Sequence, residues 1–473
     1  MKALLSSFQA AIPHAKLLGD TEISGVTTDS RRIQQGELFV ALRGEHFDAH
    51  DFLGQVSKEG KAAAVIAEHL PSAFNLPAFL VSDTKLALGD IARQWRQKFT
   101  MPIIGVTGSN GKTTVKEMIA SIFSCHAESD AWLATNGNLN NEIGVPLTVL
   151  RLNARHQCAV VEMGMNHPGE IAYLASVALP TIGLVNNAQR EHQEFMHTVD
   201  AVAAENGAVL ASLPQDGTAV FPADDSYTAL WRGLAAQVKT RKILTFGLTD
   251  TADVCGDIVD MSKQSTASGA TTNTADSIRI GIGEEKFLVQ LSAFGRHNAL
   301  NALAAAACCH AAGIPSVVIK QGLERFHPVA GRLQRKATPD GAIVIDDTYN
   351  ANPDSVRAAI DVLAQFSGKR VMVLGDMGEV GDQGEMFHNE VGALAKQRGI
   401  EAFFTFGDLA QTASAAFGKP AVHFGEIEAL FNALDSCLMA QPSTTTVLIK
   451  GSRFMKMERV VAHLTQQENK GIH

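Results

Sequence analysis

Lys112 and Thr113 close the run Gly105-Val106-Thr107-Gly108-Ser109-Asn110-Gly111-Lys112-Thr113-Thr114, and together they suit the handling of a triphosphate. A lysine in this place can reach a terminal phosphate, and a threonine hydroxyl can meet a magnesium ion. Gly108, Asn110 and Gly111 form a turn whose N–H groups face an anion, and the start of a helix at Lys112, Thr113 and Thr114 adds its dipole. The spacing is unusual. The common phosphate-loop formula sets a glycine five positions before the Gly-Lys pair, which here is Val106; this chain has glycines three and six positions before Gly111 instead. The plain alternative is a tight strand–helix turn carrying a surface lysine, and the Gly-Lys-Thr-Thr order at a helix start weighs against it.

Other polar residues fall at strand ends. Glu162 ends the apolar run from Cys158 and leads into Met163-Gly164-Met165-Asn166-His167-Pro168-Gly169-Glu170. A carboxylate there is placed to hold magnesium, whereas Glu170 reads as a helix cap. His192 follows another strand, in Asn187-Ala188-Gln189-Arg190-Glu191-His192; a lone histidine there serves structure as readily as function. Asn136, Asn138, Asn140 and Asn141 form either plain turns or a donor-rich ligand wall. Asn298 and Asn301 share one helix face, where capping competes with ligand binding. Near the C-terminus, Asp346-Asp347-Thr348-Tyr349-Asn350-Ala351-Asn352-Pro353, Gly375-Asp376-Met377-Gly378-Glu379 and Lys450-Gly451-Ser452-Arg453 each follow a buried strand. Three polar strand ends in one sheet mark a binding crevice.

The elements that must position these groups alternate between strand and helix. Pro102-Ile103-Ile104 is a short strand, and Val115, Met118, Ile119, Ile122 and Phe123 put one apolar stripe on the helix after the loop. Buried strands are expected at Cys158–Met163 and Thr181–Asn186, so the central sheet is parallel and covered on both faces. Ahead of it, residues 1–98 form a small α/β unit with strands at Glu37–Leu42 and Ala62–Ile66 and a closing helix over Leu86–Phe99. Ser262–Ser277 reads as a solvent loop. A helix over Asn298–Ala312 stops at Gly313 with Pro315 behind it, which sets a boundary near 314. The last unit repeats the pattern, with strands at Ala342–Ile345, Arg370–Leu374, Ala402–Phe406 and Thr446–Ile449 and a helix over Pro353–Phe366. The expected fold class is α/β in three domains: 1–98 small and mixed, 99–314 a P-loop NTPase-like parallel sheet, and 315–473 a Rossmann-like sheet.

Composition bounds the partners. With 473 residues, three domains are natural. A net charge of −9 argues against nucleic acid or an anionic membrane as the main partner. The six cysteines show no Cys-x-x-Cys pairing and read as free thiols in a reducing compartment. The N-terminal run is no signal peptide, and no stretch approaches the roughly 18 apolar residues of a membrane span. A cytoplasmic protein is expected.

Thr107-Gly108-Ser109-Asn110-Gly111-Lys112-Thr113-Thr114, Glu162-Met163-Gly164, Gly295-Arg296-His297-Asn298 with Asn301, and Gly331-Arg332 occur in this order. In this order they resemble the Mur ligase family, the ATP-dependent amide-forming enzymes of peptidoglycan precursor synthesis. The resemblance covers essentially the whole chain, including Thr28-Asp29-Ser30-Arg31 and Gly36–Leu42. Asp346–Ser355, Val373–Met377 and Lys450–Arg453 look like the member that joins D-alanyl-D-alanine to UDP-N-acetylmuramoyl-tripeptide. The resemblance implies ATP and Mg2+ as cofactors and a monomer as the working form. It implies that Lys112 binds the ATP phosphates and Thr113 the first magnesium, with Glu162 and His192 completing the coordination. Asn298 would meet adenine, Arg332 the phosphates or ribose, and Asp347 the ribose. Ser30, Arg31 and Arg43 would hold the UDP end in the first domain, with Thr135, Asn136, Asn138 and Asn141 bordering the sugar-nucleotide channel. Tyr349, Asn350 and Asn352 would be shared between ATP and dipeptide in the last domain.

One position departs from the family pattern. Many members carry a carbamylated lysine about fourteen residues after the histidine that matches His192, and here that place is Asn206. Such a lysine is a carboxylate on a long arm that supports a second magnesium. The expectation is that Glu205, or water held by Asn206, takes over part of that task and that bicarbonate is not needed. Among rivals, the ligase adding the third residue carries an Asp-Asn-Pro-Arg signature absent here, and folylpolyglutamate synthetase lacks a match to residues 25–52. A P-loop ATPase or switch of another class would leave three polar strand ends idle.

Overall fold

In the computed structural model, the described residues are 1–259, 276–293, 295–439 and 442–465. The solvent-loop expectation for Ser262–Ser277 lies outside them, except that Asp276 and Ser277 open a strand. The N-terminal unit holds a five-stranded sheet in the order Lys16–Leu18, Ala78–Leu80, Ala62–Ala67, Glu37–Val40, Gly25–Thr27. Its closing helix runs Thr84–Arg96, two residues ahead of the expected start, because the Asp83 carboxylate accepts the N–H groups of Lys85 and Leu86 (2.8 and 2.9 Å). The helix buries Leu88, Ile91 and Ala92 in a cluster shared with Val149, Leu174 and Val177 of the next unit. Arg96 lies across the end of the helix Glu170–Ala178, donating to the carbonyls of Ala178 and Leu179 (both 3.1 Å). A cation at a helix C-terminus is electrostatically favoured.

The central sheet has nine strands, in the order Glu285–Leu291, Asp276–Ile282, Val254–Val259, Lys242–Gly247, Thr218–Pro222, Ile182–Val185, Ile103–Thr107, Cys158–Glu162, Trp132–Ala134. The phosphate-loop strand Ile103–Thr107 is interior, as the unbroken burial of its five residues requires. Its parallel neighbours pair Glu162 with Val106 and Val185 with Thr107. Parallel register thus brings three strand ends to one level, where the phosphate loop emerges. The last three strands towards Glu285–Leu291 form an antiparallel edge instead. That makes the sheet mixed, a feature absent from the expectation of a parallel sheet. Its tight turn at Gly283 (φ +59°) is what permits the hairpin.

The phosphate-loop helix Lys112–His126 fully buries Val115, Met118, Ile119, Ile122 and Phe123. Each such side chain contributes roughly 1.5–3 kcal/mol of transfer free energy. The helix packs against Arg296–Ala311 and Ser316–Arg325. The second of these follows the boundary expected at 314, yet a Cβ on Gly322 would stand 2.3 Å from Ile122 Cα. Ser121 Oγ also donates to Gly322 O (2.7 Å), so this helix shares the central core.

The C-terminal sheet runs Gln334–Ala337, Ile343–Asp347, Thr445–Lys450, Lys369–Gly375, Ala402–Phe406, Val422–Phe424. All pairs are parallel except the first. Asp347 stands opposite Lys450, so the two polar strand ends meet directly. Helix Pro353–Leu363 opens with a capping box between Asn352 and Ser355.

Candidate active site

A cavity of about 830 Å³ lies between the phosphate loop and the strand ends of the C-terminal sheet. Asn110, Gly111, Lys112, Thr113, Thr114, Glu162, His192, Asn298, Arg332, Asp347, Tyr349, Asn350 and Asn352 all line it, together with Asn138 and Asn141. The phosphate loop is held from below. Gly108 N donates to Asn206 Oδ1 (2.9 Å), and Thr107 Oγ1 donates to the carbonyls of Leu184 and Asn206. Asn110 N donates to Asn187 Oδ1 (2.9 Å), while Asn186 and Asn187 both donate to Asn110 O. Gly108 and Gly111 take φ of +132° and +82°. A Cβ on Gly111 would fall 2.4 Å from Asn301 Oδ1, so the residue must be glycine for steric and backbone reasons alike.

Lys112 turns inward. Its Nζ pairs with Glu191 Oε1 at 2.7 Å, both side chains largely buried, and donates to the carbonyls of Gly108 and Ser109. Burial alone would raise the Glu191 carboxyl, but Lys112 and His192 outweigh it and hold it below the ordinary range. His192 lies 3.5 Å from Glu191 Oε1 and 2.6 Å from Glu379 Oε2. Burial would lower its imidazole, yet the two carboxylates push it up to about 9.

Thr113 Oγ1 donates to Glu162 Oε1 (3.0 Å) and accepts from Arg332 Nη2 (2.9 Å). Asn140 also donates to Glu162 Oε1 (2.9 Å), while Glu162 Oε2 is buried with no partner. An orphaned carboxylate oxygen beside a threonine hydroxyl at a helix N-terminus fits a magnesium ion, which takes few protein ligands and completes its shell with phosphate and water. Among the described residues, no group of three or more His, Cys, Asp or Glu could hold a metal alone.

The C-terminal wall is built by pairing. Lys450 Nζ donates to Asp347 Oδ2 (2.6 Å) and Asn350 O (2.9 Å). Burial raises the Asp347 carboxyl above its ordinary value, with Lys450 and Arg332 opposing. The Arg332 guanidinium stacks 4.0 Å from the Tyr349 ring centre. Asn352 exchanges amide hydrogen bonds with Asn110 across the cleft (3.0 and 3.3 Å). Arg190 donates to Asp354 and Glu390 and lies over the Phe387 ring, a clasp between the central and C-terminal units.

Several singled-out residues stand elsewhere. Gly108 lies behind the cavity wall, on Asn206. Ser30, Arg31, Arg43, Thr135 and Asn136 are not part of the cavity lining. Arg31 pairs with exposed geometry to Asp29 (2.9 Å), and Arg43 pairs with Asp48 and Glu68. Thr135 Oγ1 accepts Glu162 N (2.9 Å), a support for Glu162 from behind. Asn141 caps the helix Gly144–Val149 through Gly144 N, so the turn reading applies to it as well. Asn298 is buried and accepts from Asn301 (3.1 Å). The expectation for Glu205 fails. Its carboxylate accepts Gly169 N and Ile171 N (2.8 and 2.7 Å), capping the helix Glu170–Ala178. Residues that the sequence reading passed over are Asn186, Asn187 and Arg190, and above all Glu191. Their signal is position: all follow the strand that pairs directly with the phosphate-loop strand.

Comparison with known proteins agrees along the whole chain. Residues 22–96 match the model of the Mur ligase family, catalytic domain; residues 106–309 match the Mur ligase middle domain; residues 331–453 match the Mur ligase, glutamate ligase domain. The UDP-N-acetylmuramoyl-tripeptide–D-alanyl-D-alanine ligase of Escherichia coli is 39% identical over 95% of each chain. The enzyme of that name from Haemophilus influenzae is 36% identical over 97% of this chain and 98% of its own. The crystal structure of MurF from Acinetobacter baumannii superimposes with a TM-score of 0.89 at 33% identity, covering 99% of both chains. MurF ligase from Thermotoga maritima in complex with ADP gives 0.80 at 26% identity, over 94% of this chain and 97% of its own. The chain therefore belongs to the Mur ligase family.

Proposed function

We propose that this protein joins D-alanyl-D-alanine to UDP-N-acetylmuramoyl-tripeptide at the expense of ATP, in the cytoplasmic synthesis of peptidoglycan precursors. The observation that carries this reading is the single cavity walled by the phosphate loop on one side and by three polar strand ends on the other. The choice of substrates rests on the full-length similarity to ligases that bear those names. No helix among the described residues is long and apolar enough to cross a membrane, which suits soluble substrates.

An oxygen of the tripeptide's terminal carboxylate attacks the γ-phosphorus of ATP. The bond to the bridging oxygen breaks, and ADP leaves with that electron pair. The dipeptide amine then attacks the acyl carbon of the resulting acyl phosphate; the amine gives up a proton and phosphate departs. In such transfers the protein chiefly positions groups and neutralises charge. Lys112 would leave Glu191 for the phosphates, with Arg332 and the first turn of the helix beside it. Asn298 would meet the adenine and Asp347 the ribose. Tyr349, Asn350 and Asn352 would face both ATP and the dipeptide. Asn138 and Asn141 border the sugar-nucleotide path, with Ser30, Arg31 and Arg43 meeting the UDP end further out. Thr113 and Glu162 would hold a magnesium ion, which stabilises charge on the phosphates. His192 would join them only after leaving Glu379, since an imidazolium does not ligate.

The test is ADP release with and without D-alanyl-D-alanine. Release that depends on both the dipeptide and the sugar-nucleotide tripeptide is expected; dipeptide-independent release at the same rate would point to a plain ATPase. Lys112→Ala should lose on the order of 3 kcal/mol of barrier lowering while its thermal unfolding stays that of a folded protein.

A further inference from the structure

We propose that Glu191 is the carboxylate of a second divalent-cation position, the position for which Asn206 offers no charge. Position after a strand is the only sequence mark of Glu191, but the structure gives it an unusual setting. The residue is 9% exposed, one oxygen is committed to Lys112, and the other is buried with no partner. It lines the same cavity as Glu162, whose own second oxygen is likewise unpartnered. A buried carboxylate oxygen left bare is costly unless a ligand or ion completes it.

The charge balance of the loaded site gives the direction. When triphosphate enters, Lys112 is drawn to it, and Glu191 keeps only His192, 3.5 Å from its Oε1, as counter-charge just as more negative charge arrives. Two carboxylates and a polyphosphate cannot share that space without cations between them. Thr113 and Glu162 account for one ion. Glu191, the resting partner of Lys112, accounts for another, with phosphate oxygens and water as its remaining ligands.

Asn206 cannot do this work, and its geometry says why. Its Oδ1 is spent on the loop, accepting Gly108 N at 2.9 Å, and its Nδ2, buried with no partner, is a donor that cannot ligate a cation. It is 1% exposed and lies behind the loop rather than in the cavity lining. Glu205, its neighbour, faces a different helix. The negative charge that a lysine carbamate would bring from that helix is instead supplied from the segment before His192, as a permanent carboxylate needing no carbon dioxide.

The inference rests on the ligase reading, and its test is separate from turnover. Mn2+ uptake is followed by electron paramagnetic resonance in the complex with a non-hydrolysable ATP analogue and the sugar-nucleotide tripeptide, in bicarbonate-free buffer. The wild type should bind a first and a second ion. In Glu191→Gln the first ion should remain and the second should weaken at least about tenfold. If the variant binds both ions as the wild type does and the analogue more tightly, Glu191 is only the resting partner of Lys112 and the proposal falls. A second ion that enters the wild type only with added bicarbonate also overturns it, and this arm needs no variant to fold. Dipeptide-dependent ADP release by the wild type is scored independently, so either conclusion can fail alone.

Discussion

Gly111 shows how narrow the tolerances are at the level of one residue. Its φ of +82° belongs to glycine, and the space beside its Cα is already taken by Asn301 Oδ1 and Asn186 Nδ2. Gly111→Ala should destabilise the protein by about 1–3 kcal/mol and loosen ATP-analogue binding; an unchanged melting temperature and affinity would show that the loop can reshape. The places of Glu162 and Lys112 in the cavity were legible from sequence because they follow from local order: a carboxylate at a strand end, a lysine after a glycine turn. Glu191 was not. Its meaning comes from a contact with Lys112 across 79 positions of chain, set by two parallel strands lying side by side. No periodicity carries that information. Thr135 and Asn141 illustrate the converse. Their types suit ligand binding, but backbone N–H groups claim their side chains first.

Among elements, those with strong local signals stand close to where the sequence put them. The phosphate-loop helix follows its apolar stripe, and helix Pro353–Leu363 starts at the proline behind a capping asparagine. Helix Thr84–Arg96 was expected slightly late, because a capping aspartate outside the apolar pattern sets its start. Asp83→Ala should therefore cost about 1 kcal/mol and reduce hydrogen-exchange protection first in that helix; uniform loss across the chain would contradict a local cap. The antiparallel edge through Glu285–Leu291 was missed because alternating strands give weak signals beside long buried ones. Helix Ser316–Arg325 follows the boundary expected near 314 yet packs on the phosphate-loop helix, for a related reason. Gly313 and Pro315 end a helix, but whether the chain then leaves the core depends on Gly322 lying against Ile122.

For the whole molecule, the decisive contacts join the central and C-terminal units. Arg190 holds Asp354 and Glu390, Arg332 holds Thr113, and Asn352 holds Asn110. Arg190→Ala removes a charge-assisted pair of about 1.5–3 kcal/mol. Small-angle scattering should then report a more extended average shape without nucleotide, and KM for ATP should rise more than kcat falls. An unaltered scattering profile would mean the other contacts suffice.

The reciprocal amide exchange between Asn110 and Asn352 has a thermodynamic corollary. One side chain belongs to the glycine-rich loop of the central unit, the other caps a helix of the C-terminal unit. Any factor by which the joined arrangement raises nucleotide affinity must equal the factor by which nucleotide favours joining. The cleft is thus a two-way gauge: holding the units together chemically would tighten the nucleotide, and measuring that tightening would weigh the closure itself.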